Sequence, residues 1–238
     1  MKFALITGSS GGIGSSTALK LAEEGWNLYL HYHTNKGAVE ELIHKVEGFG
    51  VEAIPIRADL SSPREVGRLV ESIFRLDAII YCSGNSSWGL FQDQTENDMD
   101  EMINLHVKSP LLLVQKLLPK IIEKKGGIVM VSSIWGQIGG ACEVVYSTVK
   151  GAQLAFVKSL SKELALSGVR VNAVAPGVVE TAMMSAFTED DKHSLYDEIP
   201  MGRFAQPDEI ADSIQFLLSS KATYITGQTL SVNGGWHT

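Results

Sequence analysis

Tyr146 and Lys150 stand four residues apart in a stretch without proline, and Ser133 precedes them. A helical spacing of four places the phenol and the ammonium on one face, as near neighbours. A free tyrosine has a pKa of about 10 and is a poor proton donor or acceptor at neutral pH. An ammonium about 5 Å away stabilises the phenolate by roughly 3 kcal/mol at an effective dielectric of 20. We therefore predict that Lys150 lowers the pKa of Tyr146, which exchanges a proton with a carbonyl oxygen that Ser133 also contacts.

A glycine-rich turn near the N-terminus is the second feature with chemical meaning. The apolar run at residues 3–6 suits a buried parallel strand, and the sequence T-G-S-S-G-G-I-G fills positions 7–14. An amphipathic helical pattern follows and ends at Gly25. Glycines let the main chain approach a ligand closely, and the free N–H groups of a helix N-terminus attract an anion. This order of elements predicts a phosphate-binding site; the alternative is a flexible glycine loop.

The composition limits the classes of function that the chain can have. Of its 238 residues, 45% are hydrophobic and 20% charged, which is typical of a soluble globular domain. The formal net charge of −7 argues against a nucleic-acid-binding protein. No apolar run is as long as a membrane span, and a predicted strand leaves no room for a signal peptide. The two cysteines, Cys82 and Cys142, indicate a reducing, cytoplasmic setting, and no spacing of His, Cys and Asp predicts a metal site.

Apolar runs and amphipathic segments alternate along the chain without a linker or an internal repeat. The alternation predicts a single domain, residues 1–238, with one doubly wound parallel sheet of about seven strands and helices on both faces. Helices are expected to start at a capping box in residues 62–65 and again at residues 206–209. The predicted strands are residues 3–7, 27–32, 51–57, 77–82, 127–132, 169–175 and 228–232.

The least regular stretch covers residues 181–201 and follows a predicted strand end at Pro176. Ligands bind at the carboxyl ends of strands in such sheets, so we predict a substrate lid here. The alternative is a surface helical hairpin whose apolar residues, Met183, Met184 and Phe187, form a small satellite core.

Several motifs occur in a fixed order: the glycine turn, R-A-D-L at 57–60, M-I-N-L-H at 102–106, N-A-V-A-P-G at 172–177 and V-N-G-G at 232–235. The spacing of Tyr146 and Lys150 alone often occurs by chance, but its occurrence together with these motifs in this order does not. Together they make nearly the whole chain resemble the short-chain dehydrogenase/reductase family. The resemblance implies a Rossmann-type fold and hydride transfer between a nicotinamide and a ketone, with Tyr146 protonating the oxygen.

The resemblance also implies which residues form the site. Lys150 would bind the nicotinamide ribose, and Asn104 would help hold a water chain to it. The implied catalytic tetrad is Asn104, Ser133, Tyr146 and Lys150. The implied cofactor residues, besides Lys150, are Gly8, Ser10, Gly12, Ile13, Gly14, Asp59, Leu60, Gly84, Pro176, Gly177 and Thr181.

Within the family, G-R-F-A-Q-P-D-E-I-A and Y-I-T-G-Q-T resemble bacterial 3-oxoacyl-[acyl-carrier-protein] reductases. Those enzymes often carry two arginines that dock the acidic carrier, at positions where this chain has Gly127 and Ser167. Lys124 and Lys125 are candidates to replace them; the alternative is that these lysines only interact with the dipole of an exposed helix C-terminus. Those reductases also carry glutamine where this chain has Glu143, a carboxylate that would attract an amine; the alternative is a solvated acid in a loop. This pattern, together with W-G-Q-I-G-G at 135–140 and H-Y-H-T-N-K at 31–36, also resembles elongation factor P 5-aminopentanone reductases, which reduce a ketone on a modified lysine that carries an amine. The family's N-N-A-G loop is here residues 81–84, and Tyr81 replaces the asparagine that braces the sheet.

The end of the second predicted strand indicates the cofactor. Family members specific for NAD usually end this strand with an acid that binds the ribose hydroxyl, whereas this chain has L-H-Y-H followed by T-N-K. Lys36 or His33 would meet a 2′-phosphate, so we predict NADPH, although Gly11 stands where NADPH-dependent members often have arginine. His31, His33 and His106 are expected to be structural or surface residues.

Three functions remain open from the sequence. The first is an NADPH-dependent reductase of ketones on an acyl carrier protein, and the second applies the same chemistry to an aminoketone on elongation factor P. The third is a dinucleotide-binding sensor without catalysis. Relatives form tetramers through the helices that carry Asn104 and Tyr146 and through the last strand, so a homotetramer is expected.

Overall fold

The computed structural model describes residues 1–182, 184 and 187–238. Within them, seven parallel strands form one sheet in the order β3-β2-β1-β4-β5-β6-β7, so that β3 and β7 are its edges. This confirms the predicted doubly wound sheet. The strands are β1 (Lys2–Thr7), β2 (Trp26–Tyr32), β3 (Ala53–Arg57), β4 (Ala78–Tyr81), β5 (Gly127–Val131), β6 (Arg170–Pro176) and β7 (Thr229–Val232).

Helices cover both faces of the sheet. In chain order they are α1 (Gly12–Glu23), α2 (Lys36–Glu47), α3 (Glu65–Glu71), α4 (Glu96–Ile103), α5 (Ser109–Lys124), α6 (Trp135–Ile138), α7 (Val144–Leu164), α8 (Glu189–Glu198) and α9 (Pro207–Leu218). A π-helical turn, Asn104–Lys108, joins α4 to α5. Short 3-10 turns lie at Phe91–Asp93, Ala165–Ser167 and Ser220–Ala222.

The side chains of successive strand residues point to opposite faces of the sheet, so each strand contributes to two separate hydrophobic cores. Leu5, Tyr81 and Met130 pack with helices α3, α5 and α7 on one face. Ala4 and Ile6 pack with α1, α2 and α9 on the other. The central strands are therefore mostly apolar on both faces, as expected of a parallel sheet covered on both sides, and their few polar residues include Asn27 and His31 of β2.

The predicted elements agree with the observed ones apart from their ends. Each observed strand differs from its predicted bounds by one or two residues at an end, and α9 begins at Pro207 with Gln206 and Glu209 forming a capping box. The predicted capping box at residues 62–65 is wrong. Helix α3 starts only at Glu65, because the Glu65 carboxylate accepts a hydrogen bond from Asp59 N at 2.7 Å instead of binding its own helix cap.

A third, small cluster lies beyond β6. Met184, Ile199 and Phe204 are buried together, with Tyr196 of α8 and Trp236 packed against them. Helix α8 itself begins at a capping box of Thr188 and Asp191. The predicted lid segment thus contains a helix with its own satellite core. Met184 joins that core as suggested, Phe187 does not because its side chain is exposed, and Met183 lies outside the described residues.

Candidate functional site

The strand order reverses between β1 and β4, since β1 leads to β2 on one side and β4 continues on the other. Loops leaving the carboxyl ends of these two strands diverge, which opens a crevice at that edge of the sheet. The glycine turn follows β1, and residues 82–85 follow β4. Ser133 follows β5, and α7 brings Tyr146 and Lys150 to the same end. The sheet topology therefore gathers the predicted catalytic and cofactor residues at one crevice.

Ser133, Tyr146 and Lys150 form a compact group. The Lys150 ammonium nitrogen lies 5.5 Å from the centroid of the Tyr146 ring, and the Ser133 hydroxyl hydrogen-bonds to Tyr146. Lys150 is buried, and its ammonium donates to the carbonyl of Val131 at 2.9 Å. The carbonyl of Lys150 accepts from Ser132 at 3.0 Å, which ties α7 to the end of β5. The three residues are thus fixed from both the helix and the strand.

The predicted acidification of Tyr146 is not what this arrangement produces. Burial raises the pKa of Tyr146 to about 12, the hydrogen bond from Ser133 opposes that rise, and the Glu143 carboxylate adds to it. Burial also lowers the pKa of Lys150 to about 8. The sequence argument counted the attraction between phenolate and ammonium but not the cost of taking both groups out of water. At neutral pH the phenol therefore holds its proton, which suits a proton donor.

Asn104 opens the π turn, and its carbonyl accepts from Ser109 N across that turn. Among the described residues, no hydrogen bond joins its side chain to Ser133, Tyr146 or Lys150. The turn does pack against α7, because the ring of His106 meets the ring of Tyr146 edge to face, with centroids 5.9 Å apart. The structure thus brings three of the four predicted catalytic side chains together and places the fourth on an adjacent turn.

The glycine turn has the geometry of an anion site. Gly8 has φ of 65°, and a Cβ on Gly14 would lie 2.3 Å from the Gly8 carbonyl oxygen. Helix α1 starts at Gly12 without a side-chain cap. Its first N–H groups are left for a ligand, since a helix cannot satisfy them internally. Ser10 and Ile13 lie in the same turn, so the residues present fit the pyrophosphate of a dinucleotide.

His31 supports this turn, a role that sequence reasoning foresaw only as "structural". It is buried at the end of β2, where its Nδ1 accepts from Gly8 N at 3.1 Å and its Nε2 bonds to the Ala58 carbonyl at 3.1 Å. Because a carbonyl only accepts, Nε2 carries the proton. Burial lowers the pKa of His31 to about 4, so the ring is neutral and holds the phosphate turn and the segment before Asp59 in register.

The other predicted cofactor residues surround the crevice. Asp59 accepts from Ser61 N and Oγ at 2.9 and 2.7 Å, which fixes its carboxylate in a tight turn. The Leu60 side chain is buried in the core, so only its main chain faces outward. Thr181 reaches the glycine turn, since a Cβ on Gly12 would lie 2.8 Å from its Cγ2. Gly84 lies against His106, and Pro176 and Gly177 end β6 beside β7.

Cationic groups lie at the tip of β2. A cavity there is lined by His33, Arg57, Asp59, Glu65 and Arg68. Arg57 ends the edge strand β3, and its Nε donates to the His33 carbonyl at 3.3 Å. Lys36, which the sequence suggested for a 2′-phosphate, instead pairs with Glu40 at 2.8 Å on α2. Arg57 is the residue that sequence reasoning missed, because only the pairing of β2 with β3 brings it there.

Tyr81 braces the chain in place of the asparagine of the family's loop. Its side chain is fully buried, and the hydroxyl donates to the Leu105 carbonyl of the π turn at 2.6 Å. The next two main-chain N–H groups, of Cys82 and Ser83, both donate to Thr7 Oγ1 at 3.1 Å. Tyr81 therefore braces the end of β4 by linking it to the π turn.

Glu143 and two tryptophans flank Ser133 and Tyr146. Glu143 is half-buried at the start of α7, and burial raises the pKa of its carboxyl. Trp135 N donates to Ser133 Oγ at 3.2 Å, and the Trp135 ring lies 5.2 Å from that of Trp236. Carboxylates and aromatic rings are groups that can contact a cation.

The residues that the structure describes hold no helix that is long and apolar enough to cross a membrane. They also hold no group of three or more His, Cys, Asp or Glu side chains placed to bind a metal ion.

Comparison with known proteins gives consistent matches. A family model described as enoyl-(acyl carrier protein) reductase matches residues 8–237. An uncharacterized oxidoreductase, YmfI of Bacillus subtilis, is 56% identical over 239 residues, covering 99% of both chains. The 3-oxoacyl-[acyl-carrier-protein] reductase FabG of Staphylococcus aureus is 35% identical over 241 residues, covering 99% of this chain and 98% of its own. The crystal structure of the angucycline C-6 ketoreductase LanV with bound NADP superposes with a TM-score of 0.94 at 30% identity, covering 99% of this chain and 95% of that one.

Proposed function

Because the chain belongs to the short-chain dehydrogenase/reductase family and is an oxidoreductase, we propose that it reduces a ketone with NADPH and that Tyr146 donates the proton. One observation carries this proposal. A phenol that keeps its proton stands beside a serine hydroxyl and a buried ammonium, at the crevice that the glycine turn also faces. Bound NADPH would supply the hydride to the carbonyl carbon.

The chain's own residues would position the ketone and move one proton. Ser133 and Tyr146 both present hydroxyls to the carbonyl oxygen, and Tyr146 gives up its proton as negative charge develops there. The Lys150 ammonium, with a pKa of about 8, remains charged at neutral pH and stabilises the phenolate that results. Lys150 and Asn104 are also proposed to return a proton to Tyr146.

The test is substitution of Tyr146 with phenylalanine. The variant should bind NADPH as the parent protein does but reduce ketones at least about 100-fold more slowly, because general acid catalysis contributes that much. NADPH oxidation, followed by its ultraviolet absorbance, measures turnover, and fluorescence titration measures binding. Unchanged turnover would favour the alternative of a dinucleotide-binding sensor.

The preference for NADPH over NADH rests on the tip of β2. The strand itself ends without an acid that could accept the ribose hydroxyl, although Asp59 and Glu65 line the same cavity, and the Arg57 guanidinium reaches the His33 carbonyl from the neighbouring strand. A guanidinium is well suited to a phosphate. Replacing Arg57 with glutamine should therefore weaken NADPH more than NADH, and equal affinities in the parent protein would refute the preference.

For the substrate, the first candidate is a 3-oxoacyl group on an acyl carrier protein. It is supported by the similarity to FabG of Staphylococcus aureus along the whole chain. The residues of this chain at the two positions where those reductases carry docking arginines argue against this candidate. Gly127 is buried, and a Cβ there would lie 2.8 Å from Leu218 Cδ2, so a longer side chain would require Leu218 to move. Lys124 pairs with Glu123, and Lys125 ends α5 in a left-handed conformation with φ of 51°.

The second candidate is a protein-bound aminoketone, as on elongation factor P. It is supported by the Glu143 carboxylate, half-buried three residues from Tyr146, and by the Trp135–Trp236 pair beside Ser133. A single assay separates the two candidates: NADPH oxidation with a 3-oxoacyl thioester beside a small aminoketone. Glu143→Gln should slow the aminoketone about tenfold or more and leave the thioester unchanged or faster. Faster thioester turnover in the parent protein would reject the aminoketone.

The assembly, the lid and the location of the protein are further parts of the proposal. Helices α4, α5 and α7 carry exposed apolar side chains, Ile103, Leu111 and Val144 among them, which a homotetramer would cover. Light scattering on the purified protein tests this. Residues 181–201 are proposed to close over the substrate, and the cytoplasm is the proposed compartment.

A further inference from the structure

His106 is a fully buried histidine that the reaction outlined above does not use. It lies in the π turn between α4 and α5, two residues after Asn104. Its carbonyl accepts from Gln153 Nε2 of α7 at 2.9 Å. The main chain of the turn is therefore anchored to α7 independently of the imidazole, and the ring is free to serve another purpose.

The protonation of the ring follows from its partner. His106 Nε2 bonds to the Asn85 carbonyl at 3.0 Å, and a carbonyl only accepts, so Nε2 carries the proton. The other nitrogen, Nδ1, has no hydrogen-bond partner within the described residues. Burial and the nearby charge of Lys150 hold the pKa of His106 well below its usual range. The ring is thus a neutral donor with one unused acceptor.

The ring contacts both sides of the crevice. On one side it packs on the loop after β4, where a Cβ on Gly84 would lie 2.7 Å from His106 Cε1. On the other side it meets the Tyr146 ring edge to face at an interplanar angle of 87°. The imidazole therefore stands directly between the Gly84 loop and the phenol. The spacing between that loop and the proton donor depends on this ring.

We propose that His106 is a positioning residue that sets the distance between the Gly84 loop and Tyr146. Its donated hydrogen bond holds the loop, and its ring packs against the phenol ring. This inference rests on the proposed function, in which the loop contacts the nicotinamide and Tyr146 protonates the substrate. Simple core packing is a poorer account, because a residue that only fills space needs neither the hydrogen bond to the Asn85 carbonyl nor the ring contact with Tyr146.

Two substitutions separate the two contacts. His106→Gln keeps an N–H that can reach the Asn85 carbonyl but removes the ring from Tyr146. His106→Phe keeps a ring against Tyr146 but removes the hydrogen bond to the loop. The control is Lys108→Gln, an exposed position on the same π turn, which should change neither property.

The glutamine variant should lose about tenfold in kcat while its Kd for NADPH stays within about twofold of the parent value. The phenylalanine variant should show the opposite: Kd for NADPH rises about tenfold, as expected for one lost hydrogen bond, and kcat falls less than about threefold. Thermal unfolding confirms that each variant is folded at the assay temperature. A merely structural role would not produce opposite changes in kcat and Kd.

Parallel losses in both variants, or no change in either, would overturn the proposal. If the phenylalanine variant does not fold, the glutamine variant decides alone, and an equal loss of kcat and NADPH affinity refutes it. Direct NADPH titration does not depend on turnover, so this outcome is distinct from failure of the proposed function. That failure would appear as unchanged ketone reduction in Tyr146→Phe.

Discussion

Acid should destabilise this protein through His31, which links the phosphate turn to the segment after β3. The buried ring has a pKa of about 4, whereas an exposed histidine in the unfolded chain has a pKa of about 6.5. Between these values the unfolded chain binds a proton that the folded protein does not, so stability falls as the pH is lowered through this window. From about pH 7.5 to about pH 5 the loss assigned to His31 is about 2 kcal/mol, and below about pH 4 it approaches about 3.4 kcal/mol.

Substitution with asparagine isolates this effect. The asparagine side chain would not titrate, and its carbonyl oxygen can still accept from Gly8 N. His31→Asn should cost about 1 kcal/mol at about pH 7.5, because the bond to the Ala58 carbonyl is lost. On going to about pH 5 the parent protein should lose about 2 kcal/mol more than the variant. Urea unfolding at the two pH values, followed by circular dichroism, measures both quantities.

The matched control is His44→Asn, because His44 is exposed on α2 and makes none of the His31 contacts. It should follow the parent protein at both pH values. The titration of carboxylates and of His106 changes the free energy of unfolding equally in all three proteins, so it cancels when the proteins are compared with one another. If the parent protein, His31→Asn and His44→Asn lose equal stability between the two pH values, the assignment of a neutral, buried His31 is refuted.

Other predictions concern the crevice directly. Since burial lowers the pKa of Lys150 to about 8, the rate of ketone reduction should decline above about pH 8 as the ammonium loses its proton. The rate of the Lys150→Arg variant should not show this decline, because arginine stays charged. The Kd of Gly14→Ala for NADPH, measured by fluorescence titration, should rise at least about 100-fold, because the new Cβ would lie 2.3 Å from the Gly8 carbonyl oxygen. A Kd close to that of the parent protein would contradict the turn geometry. Tyr81→Phe should lower the free energy of unfolding by about 1–2 kcal/mol, since the Leu105 carbonyl loses its donor, and no change in a urea titration would remove the bracing role.

The sequence predicts those parts of the molecule that depend on local pattern. Continuous apolar runs predict the strands of the buried sheet, and the glycine turn predicts the uncapped start of α1. The spacing of Tyr146 and Lys150 places them on one helix face, which the 5.5 Å distance between ammonium and ring agrees with. These predictions need only the periodicity of a helix or a strand, so they survive without knowledge of neighbouring elements.

What the sequence does not predict are contacts between distant segments. His31 and Arg57 acquire their roles only when β2 pairs with β3, and Tyr81 only when the π turn crosses the end of β4. At Glu65 a local rule gives the wrong prediction. The capping-box pattern predicts that its carboxylate binds the start of α3, whereas the carboxylate accepts a hydrogen bond from Asp59 N instead. The sign of the pKa change at Tyr146 also depends on burial, which spacing alone does not report.

The two outer strands of the sheet have a consequence for how the protein behaves at high concentration. An outer strand exposes unpaired peptide groups that can template pairing with another molecule. Here β3 has only five residues and carries Pro55, which has no N–H to offer, and it ends in the charged Arg57. On the opposite side, β7 has only four residues. The proline and the charge of β3 and the shortness of both edge strands disfavour open-ended edge-to-edge aggregation, so chains should not aggregate through these edges while the sheet assembles.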